Sequence, residues 1–155
     1  MPRAARPRRP PPKKRAPRAR RDREREYQSL FEHNPLPMWV FDLKTLRFLA
    51  VNDAAVRHYG YSRTEFLGLT IKDIRPADEI PRLLDDVSRV AHGTIDPRAW
   101  NADVWTHRRK DGTLFEVEIH GTEVKFGGRK ARVVLAKDVS TERRLEGQVL
   151  SLIHI

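Results

Sequence analysis

Residues 103–121 of the chain read DVWTHRRKDGTLFEVEIHG. In this stretch, two runs of alternating apolar and polar side chains flank Asp111-Gly112. An Asp-Gly pair between two such runs is a strong signal for a β-hairpin. The stretch therefore predicts two antiparallel strands in the second half of the chain.

A turn centred on this dipeptide determines which side chains share a face of the hairpin. It places His120 opposite Asp103 and His107 opposite Glu116, on a polar face that also carries Trp105. We therefore expect His107 and His120 to form solvated pairs with carboxylates rather than a metal site. The other face, which we expect to point into the core, carries Ala102, Val104, Thr106, Val117, Ile119 and Gly121.

Periodicity and capping residues predict the remaining elements. Apolar residues at i, i+3, i+4 and i+7 predict a long amphipathic helix over residues 80–91. We also predict helices over residues 22–33, 52–59 and 62–68, strands over 38–41, 47–51 and 130–137, and a final helix that begins near residue 140. Adjacent antiparallel strands with helices segregated to one side make an α+β sheet domain.

The charge is distributed unevenly along the chain. Of the formal net charge of +10, +9 lies in residues 1–26 and +1 in the remainder. Residues 1–21 contain six prolines and ten basic residues, so we predict a disordered arm there. The body is nearly neutral, and we expect no specific nucleic-acid partner. The alternative is a nucleic-acid-binding protein whose basic arm neutralises phosphates.

Several kinds of site are excluded by what the sequence lacks. The chain has no cysteine, which excludes disulfides, thiolate nucleophiles, Cys-ligated metals and a cysteinyl–flavin photoadduct. It has no phosphate-binding glycine loop, nucleophile elbow or His-Glu-x-x-His sequence, so we predict a non-catalytic chain. No apolar run approaches the roughly 20 residues that a membrane-spanning helix needs, and we expect a cytoplasmic protein.

Short segments follow one another in a characteristic order. They are LFEHNP at 30–35, MWVFD at 38–42, VNDAA at 51–55, YGYS at 59–62, EFLG at 65–68, RRKDGT at 108–113, DVS at 138–140 and ERR at 142–144. With this order and spacing, residues 22–148 resemble a PAS domain of the type found in bacterial histidine kinases and cyclic-di-GMP signalling proteins. The resemblance implies a five-stranded antiparallel sheet with short helices on one face, enclosing a pocket for a small molecule, cofactor or partner.

The resemblance also implies a division of the chain. We expect the arm at 1–21, an N-terminal flanking helix at 22–36, the PAS domain at 37–140 and the start of a C-terminal signalling helix at 141–149. Residues 150–155 read LSLIHI and break the polar pattern. We interpret them as a non-native tail derived from a sequencing adaptor; the alternative is a native helix that continues its apolar stripe.

The predicted ligand pocket lies between the strands and the long helix. Its residues are Asn52, Tyr59, Phe66, Leu83, Val87, Val104, Phe115, Val117, Ile119 and Val133. The alternative is that these side chains simply fill the core, and Asn52 also suits a helix cap. We expect no haem: His92 is the histidine nearest the long helix, and its position in the last turn equally suits the helix dipole. The identity of any cofactor stays open.

Apolar side chains outside the predicted core indicate a homodimer, because contiguous apolar patches rarely stay exposed. These side chains are Tyr27, Leu30, Phe31, Trp39, Phe41 and Trp105. We expect the dimer to form through the N-terminal helix and the outer sheet face, with the C-terminal helix continuing as a parallel coiled coil.

The resemblance implies a regulatory function. In the family, a terminal Asp-hydrophobic-Ser/Thr motif couples the last strand to an outgoing helix, and Asp138, Val139 and Ser140 occupy those positions. We predict a sensor and dimerisation module that relays a ligand or partner signal through these residues to a C-terminal effector domain in cis. The predicted effector is a histidine kinase; a diguanylate cyclase or phosphodiesterase is the alternative.

Overall fold

The computed structural model describes residues 1–12, 17–93 and 103–153. The strands are β1 Met38–Asp42, β2 Phe48–Val51, β3 Asp103–Arg108, β4 Leu114–Phe126 and β5 Arg129–Asp138. The helices are α1 Arg18–His33, α2 Asp53–Tyr59, α3 Arg63–Leu67, α4 Ile80–Ala91 and α5 Ser140–Ile153, with a short 3-10 helix at Ala77–Glu79 before α4.

The five strands form one antiparallel sheet in the order β2-β1-β5-β4-β3. The N-terminal hairpin β1–β2 joins the C-terminal meander β3–β4–β5 through pairing of β1 with β5. Helices α2, α3 and α4 contribute buried side chains to the core together with the inner face of the sheet. The predicted α+β, PAS-like architecture is confirmed.

Local capping residues begin and end the short helices as the sequence predicts. The side chain of Asn52 accepts a hydrogen bond from the backbone N–H of Ala55 at the start of α2. Gly60 ends α2 with φ of 82°, a left-handed conformation that glycine adopts without steric cost. At the start of α3, Ser62 and Glu65 form a reciprocal capping box.

The two terminal helices extend further than the sequence analysis placed them. Helix α1 begins at Arg18, so residues 18–21 of the predicted arm are helical, and it ends at His33 as predicted. Helix α5 continues through Ile153, past the predicted start of the non-native tail. The origin of residues 150–155 and the domain boundaries stay predictions.

The predicted register of the β3–β4 hairpin is wrong by one residue. His107 faces Phe115 and Asp103 faces Ile119. The strands are joined by Arg109–Thr113, in which the Gly112 N–H donates to the Arg109 carbonyl, and Gly112 has φ of 88°. This five-residue loop replaces the predicted two-residue turn, and an odd number of loop residues shifts the register by one. A shift of one residue exchanges the faces of a strand.

This shift reverses the faces predicted for β3. Trp105 and His107 point into the core, where 4% and 0% of their surfaces are exposed. Val104 and Thr106 alternate with them and lie on the outer face of the sheet. The predicted solvated pairs of His107 with Glu116 and of His120 with Asp103 are therefore wrong. Ala102, which we placed on the core face, lies outside the described residues.

Three residues predicted at the dimer surface belong to the core of the protomer instead. Trp39 is 1% exposed and packs edge-on against Tyr59, with ring centroids 5.6 Å apart. Phe41 and Trp105 are also buried. Because β1 is apolar on both faces, its sequence pattern could not decide which face points inward.

Candidate functional site

The candidate ligand site is a small cavity of about 30 Å³ between the inner face of the sheet and α4. Its lining residues are Trp39, Phe41, Ile71, Arg75, Leu83, Asp86, Val87, Asp103, Trp105, Ile119, Arg132 and Val134. Of the residues predicted for the pocket, the structure brings Leu83, Val87 and Ile119 to this cavity. Part of the apolar wall of the cavity was therefore predicted from the sequence. The charged side chains that line the same cavity were not predicted.

Arg75 is the first of these charged residues. It lies between α3 and α4 and is 5% exposed. Its Nη1 donates to the Ile71 carbonyl at 2.6 Å, and its guanidinium lies 5.1 Å from the ring centroid of Trp105. Its Nε is buried and finds no hydrogen-bond partner among the residues that the structure describes. Burial lowers the pKa of Arg75 to about 10, because a low-dielectric surrounding disfavours the charged form.

Arg132 is the second, and it projects inward from β5 with 9% exposure. Its Nη2 donates to the Gly121 carbonyl at 3.3 Å, and its Nη1 lies 3.9 Å from Oδ2 of Asp86. Burial lowers the pKa of Arg132 and raises the pKa of Asp86. A Cβ atom at Gly121 would collide with the Arg132 side chain, so glycine allows this close approach.

Other predicted pocket residues have structural roles. The buried Asn52 accepts from the N–H groups of Met38 and Ala55, and donates to the carbonyls of Phe31 and Leu36. It therefore fastens the segment after α1 to the start of α2, and its side-chain amide has partners on both atoms. Tyr59, Phe66, Phe115 and Val117 fill the aromatic and aliphatic core away from the cavity.

The predictions for Val104 and Val133 are wrong, because both side chains lie on the outer face of the sheet. Val104 alternates with the buried Trp105, as the shifted hairpin register requires. On β5, Arg132 and Val134 point to the cavity, so Val133 between them points away from it.

A second polar cluster surrounds the predicted relay residue Asp138, where β5 meets α5. Its Oδ1 accepts from the Ser140 N–H at 2.9 Å. Its Oδ2 lies 3.0 Å from Nε2 of His58 and 3.3 Å from Nη2 of Arg109. One carboxylate therefore contacts the start of α5, helix α2 and the β3–β4 loop.

Val139 and Ser140 fasten the same junction to β4 through Glu116. The Val139 N–H donates to the Glu116 carbonyl at 3.0 Å. The Ser140 hydroxyl oxygen accepts from the Glu116 N–H at 2.8 Å, and Arg143 of α5 forms an ion pair with the Glu116 carboxylate. Sequence reasoning found the three motif residues but missed Glu116, whose role depends on the register of β4.

His58 is the titratable member of this cluster. Burial lowers its pKa, as does the nearby Arg109 cation, while the Asp138 carboxylate acts in the opposite direction. Arg109 also donates through Nε to the His58 carbonyl at 3.1 Å. Neither residue was predicted as functional, since their proximity arises from chain segments 51 positions apart.

Two further histidines, His92 and His120, lie elsewhere in the fold. His92 is exposed at the end of α4, with Nδ1 2.7 Å from the Ser88 carbonyl oxygen. Nε2 of His120 lies 2.6 Å from a carboxylate oxygen of Glu118. Within residues 1–12, 17–93 and 103–153, no three His, Asp or Glu side chains cluster as a metal site would require. Across the same residues, no helix is both long and apolar enough to cross a bilayer.

Comparisons with known proteins point to one kind of domain. A family model described as a PAS domain matches residues 25–95. The methyl sulfide methyltransferase-associated sensor of Methanosarcina acetivorans is 20% identical over 129 residues; the match spans 83% of this chain and 12% of that sensor's length.

Solved structures share the fold. A domain of a sensory box sensor histidine kinase/response regulator from Geobacter sulfurreducens superposes with a TM-score of 0.62, 22% identity, and coverage of 75% of this chain and 94% of that one. An RNA-binding light-oxygen-voltage receptor superposes with a TM-score of 0.69 and 20% identity, covering 94% of this chain and 41% of that one.

Proposed function

Because the chain carries a PAS domain, we propose that it is the sensor and dimerisation module of a bacterial signal-transduction protein whose C-terminal output domain is a histidine kinase. PAS domains are generally non-catalytic sensor modules, and we assign no catalysis to this chain. A diguanylate cyclase or phosphodiesterase is the alternative output. We place the protein in the cytoplasm.

The observation that carries the proposal is the set of contacts made by Asp138. Its two carboxylate oxygens connect the start of α5 to His58 of α2 and to Arg109 of the β3–β4 loop. A change in packing around the core cavity moves β5 and α2 relative to one another. The Asp138 carboxylate, which contacts both α2 and the start of α5, transmits that movement to α5. The signal thus takes the form of a shift between two packings of the same elements.

Dimerisation is the second part of the proposal. Tyr27 and Leu30 on α1 are 68% and 69% exposed, and Leu145 and Val149 on α5 are more than half exposed. Leu145, Val149 and Leu152 follow one another at i, i+4 and i+7, which is the spacing of a coiled-coil seam. These two helices, together with the partly buried Phe31, form the proposed interface, in place of the buried Trp39, Phe41 and Trp105.

The relay is tested with Asp138→Ala in the full-length protein, with autophosphorylation from ATP measured in the presence and absence of the stimulus. We expect the variant to keep a basal activity that no longer responds. Asp85→Ala is the matched control, because Asp85 is exposed on α4 and, among the described residues, forms its ion pair with Arg89 of the same helix. Regulation that survives Asp138→Ala unchanged would refute the relay.

A further inference from the structure

We propose that the core cavity binds a short monocarboxylate of two or three carbons, with its carboxylate held between Arg75 and Arg132. This inference rests on the proposed sensor function, for which it names the class of ligand.

Arg75 is a buried cation that forms no close ion pair in the described part of the chain, and the carboxylates of Glu79 and Asp86 act on it only at longer range. Within the described part of the chain, no carboxylate lies within 4.0 Å of its guanidinium, and its Nε has no hydrogen-bond partner. Buried charges in proteins are normally paired, because an isolated ion loses its hydration without compensation. A carboxylate in the cavity would supply both the missing charge and the missing acceptor.

Arg132 faces the same cavity with its charge only loosely neutralised. Its distance of 3.9 Å from Asp86 exceeds the roughly 2.7–2.9 Å of a charge-assisted hydrogen bond. The Asp86 carboxylate thus lies beside Arg132 without forming a close ion pair, and its side chain is 29% exposed. A bound carboxylate can therefore accept from Arg132 without displacing a close ion pair.

The dimensions of the cavity limit the ligand to a small molecule. A water molecule needs about 10–15 Å³ of such space, so about 30 Å³ holds only a few heavy atoms. Trp39, Trp105 and Ile119 provide an apolar wall for a methyl or ethyl group. Among carboxylates with an apolar end, acetate with its four heavy atoms is the smallest and comes closest to this size.

The remaining charges select against ligands with more than one negative group. Asp86 and Asp103 also line the cavity, and each would repel a second carboxylate or the second charge of a phosphate. The arrangement therefore favours a single negative charge with an apolar end. This property separates monocarboxylates from dicarboxylates and from phosphorylated metabolites.

The test is a titration of the full chain with sodium acetate and sodium propionate at constant ionic strength, followed by tryptophan fluorescence, since two tryptophans line the cavity. We expect a saturable change and a rise in melting temperature at saturation. Acetamide is a neutral ligand of the same shape and should bind at least about tenfold more weakly, because it lacks the charge. Nitrate is a planar anion without an apolar end and should also bind more weakly.

Two variants and a matched control locate the site. Arg75→Gln and Arg132→Gln should each weaken acetate binding about tenfold or more, as expected for the loss of a charge-assisted hydrogen bond. Arg82→Gln is the control: its guanidinium lies 3.8 Å from the centroid of the same Trp105 ring, but Arg82 does not line the cavity. It should change the affinity less than about twofold.

The proposal is overturned if neither carboxylate gives a saturable change, if acetamide or nitrate binds as tightly as acetate, or if the control weakens binding as much as the cavity variants. If one arginine variant fails to fold, the comparison of acetate with acetamide on the unaltered chain still tests whether binding requires the negative charge. Acetate binding by Asp138→Ala together with an unresponsive output would support both proposals. Acetate binding with regulation unaffected by Asp138→Ala would refute the relay alone.

Discussion

The phenolic oxygen of Tyr59 lies 2.6 Å from Nδ1 of His107 inside the core of the domain. Both side chains are fully buried, and their ring centroids are 5.8 Å apart. The contact joins the end of α2 to β3 across 48 positions of the chain. Burial raises the pKa of Tyr59, so the phenol is neutral and the bond is one between two uncharged rings.

Removing the hydroxyl with Tyr59→Phe should lower the free energy of unfolding by about 1–3 kcal/mol, because Nδ1 of His107 then stays buried without a partner. Urea denaturation at about pH 7.5 measures this difference in the free energy of unfolding. Tyr61→Phe removes a hydroxyl from a partly exposed ring next to Phe66 and should change the free energy by less than about 0.5 kcal/mol. Equal effects of the two changes would contradict this assignment.

His107 should also make the free energy of unfolding depend on pH. Burial lowers the pKa of His107 well below its usual value of 6.5, so the unfolded chain binds a proton that the native state excludes. The free energy of unfolding should therefore be largest above about pH 6.5 and should fall below it, by at most about 1.4 kcal/mol per pH unit for this group. His58, whose pKa is also lowered by burial and by Arg109, acts in the same direction.

Denaturation between about pH 5 and pH 8 measures this dependence. In His107→Gln, whose amide can still accept from Tyr59, the slope below about pH 6.5 should become shallower. His33→Gln changes an exposed histidine at the end of α1 and should leave the slope as it is. A slope that is the same in all three proteins would show that His107 titrates alike in the folded and unfolded states.

Asn52→Ala should destabilise the domain by about 2–4 kcal/mol, since it removes the helix cap on the buried Ala55 N–H and leaves part-buried backbone groups of Met38 and Phe31 without this partner. Thermal and chemical denaturation both measure this loss. Asn34→Ala, which removes a single part-buried hydrogen bond to the Leu36 N–H, should cost about 0.5–1.5 kcal/mol. A smaller effect at position 52 than at position 34 would mean that Asn52 is not the fastening residue.

Two glycines should respond in opposite directions to alanine. Gly121→Ala should cost about 1–3 kcal/mol, because the added Cβ collides with the Arg132 side chain. Gly147→Ala places its Cβ in open space on α5 and should stabilise that helix by about 0.5–1 kcal/mol. Melting temperatures of the two variants check the signs, and stabilisation by Gly121→Ala would contradict the close packing of β4 against Arg132.

The proposed dimer should be weaker when negative charges replace apolar side chains on the exposed stripe of α5. Leu145→Glu combined with Val149→Glu should shift sedimentation velocity profiles toward the monomer, because like charges would face one another across the interface. Glu142→Gln with Glu146→Gln is a control that leaves the apolar positions intact. A chain that is monomeric at high micromolar concentration before any substitution would refute dimerisation through this helix.

Much of the fold could be predicted because it depends on near neighbours in the chain. The Asn52 cap, the Ser62–Glu65 capping box and the periodicity of α4 each involve residues a few positions apart. The hairpin around Gly112 was predicted on the same ground. Its register was not, because one residue more in the loop is enough to exchange the faces of β3, and the pattern at Trp105 fits either face.

Sequence alone thus determined the order of helices and strands, the PAS-like architecture and the Asp138-Val139-Ser140 junction. Which side chains meet in the interior follows instead from the packing of the elements against one another. The burial of Arg75 and Arg132 beside one cavity, and the joining of His58 and Arg109 at Asp138, bring together segments far apart in the chain. Such contacts depend on strand register and on packing between elements, whereas local patterns encode only the conformation of each element.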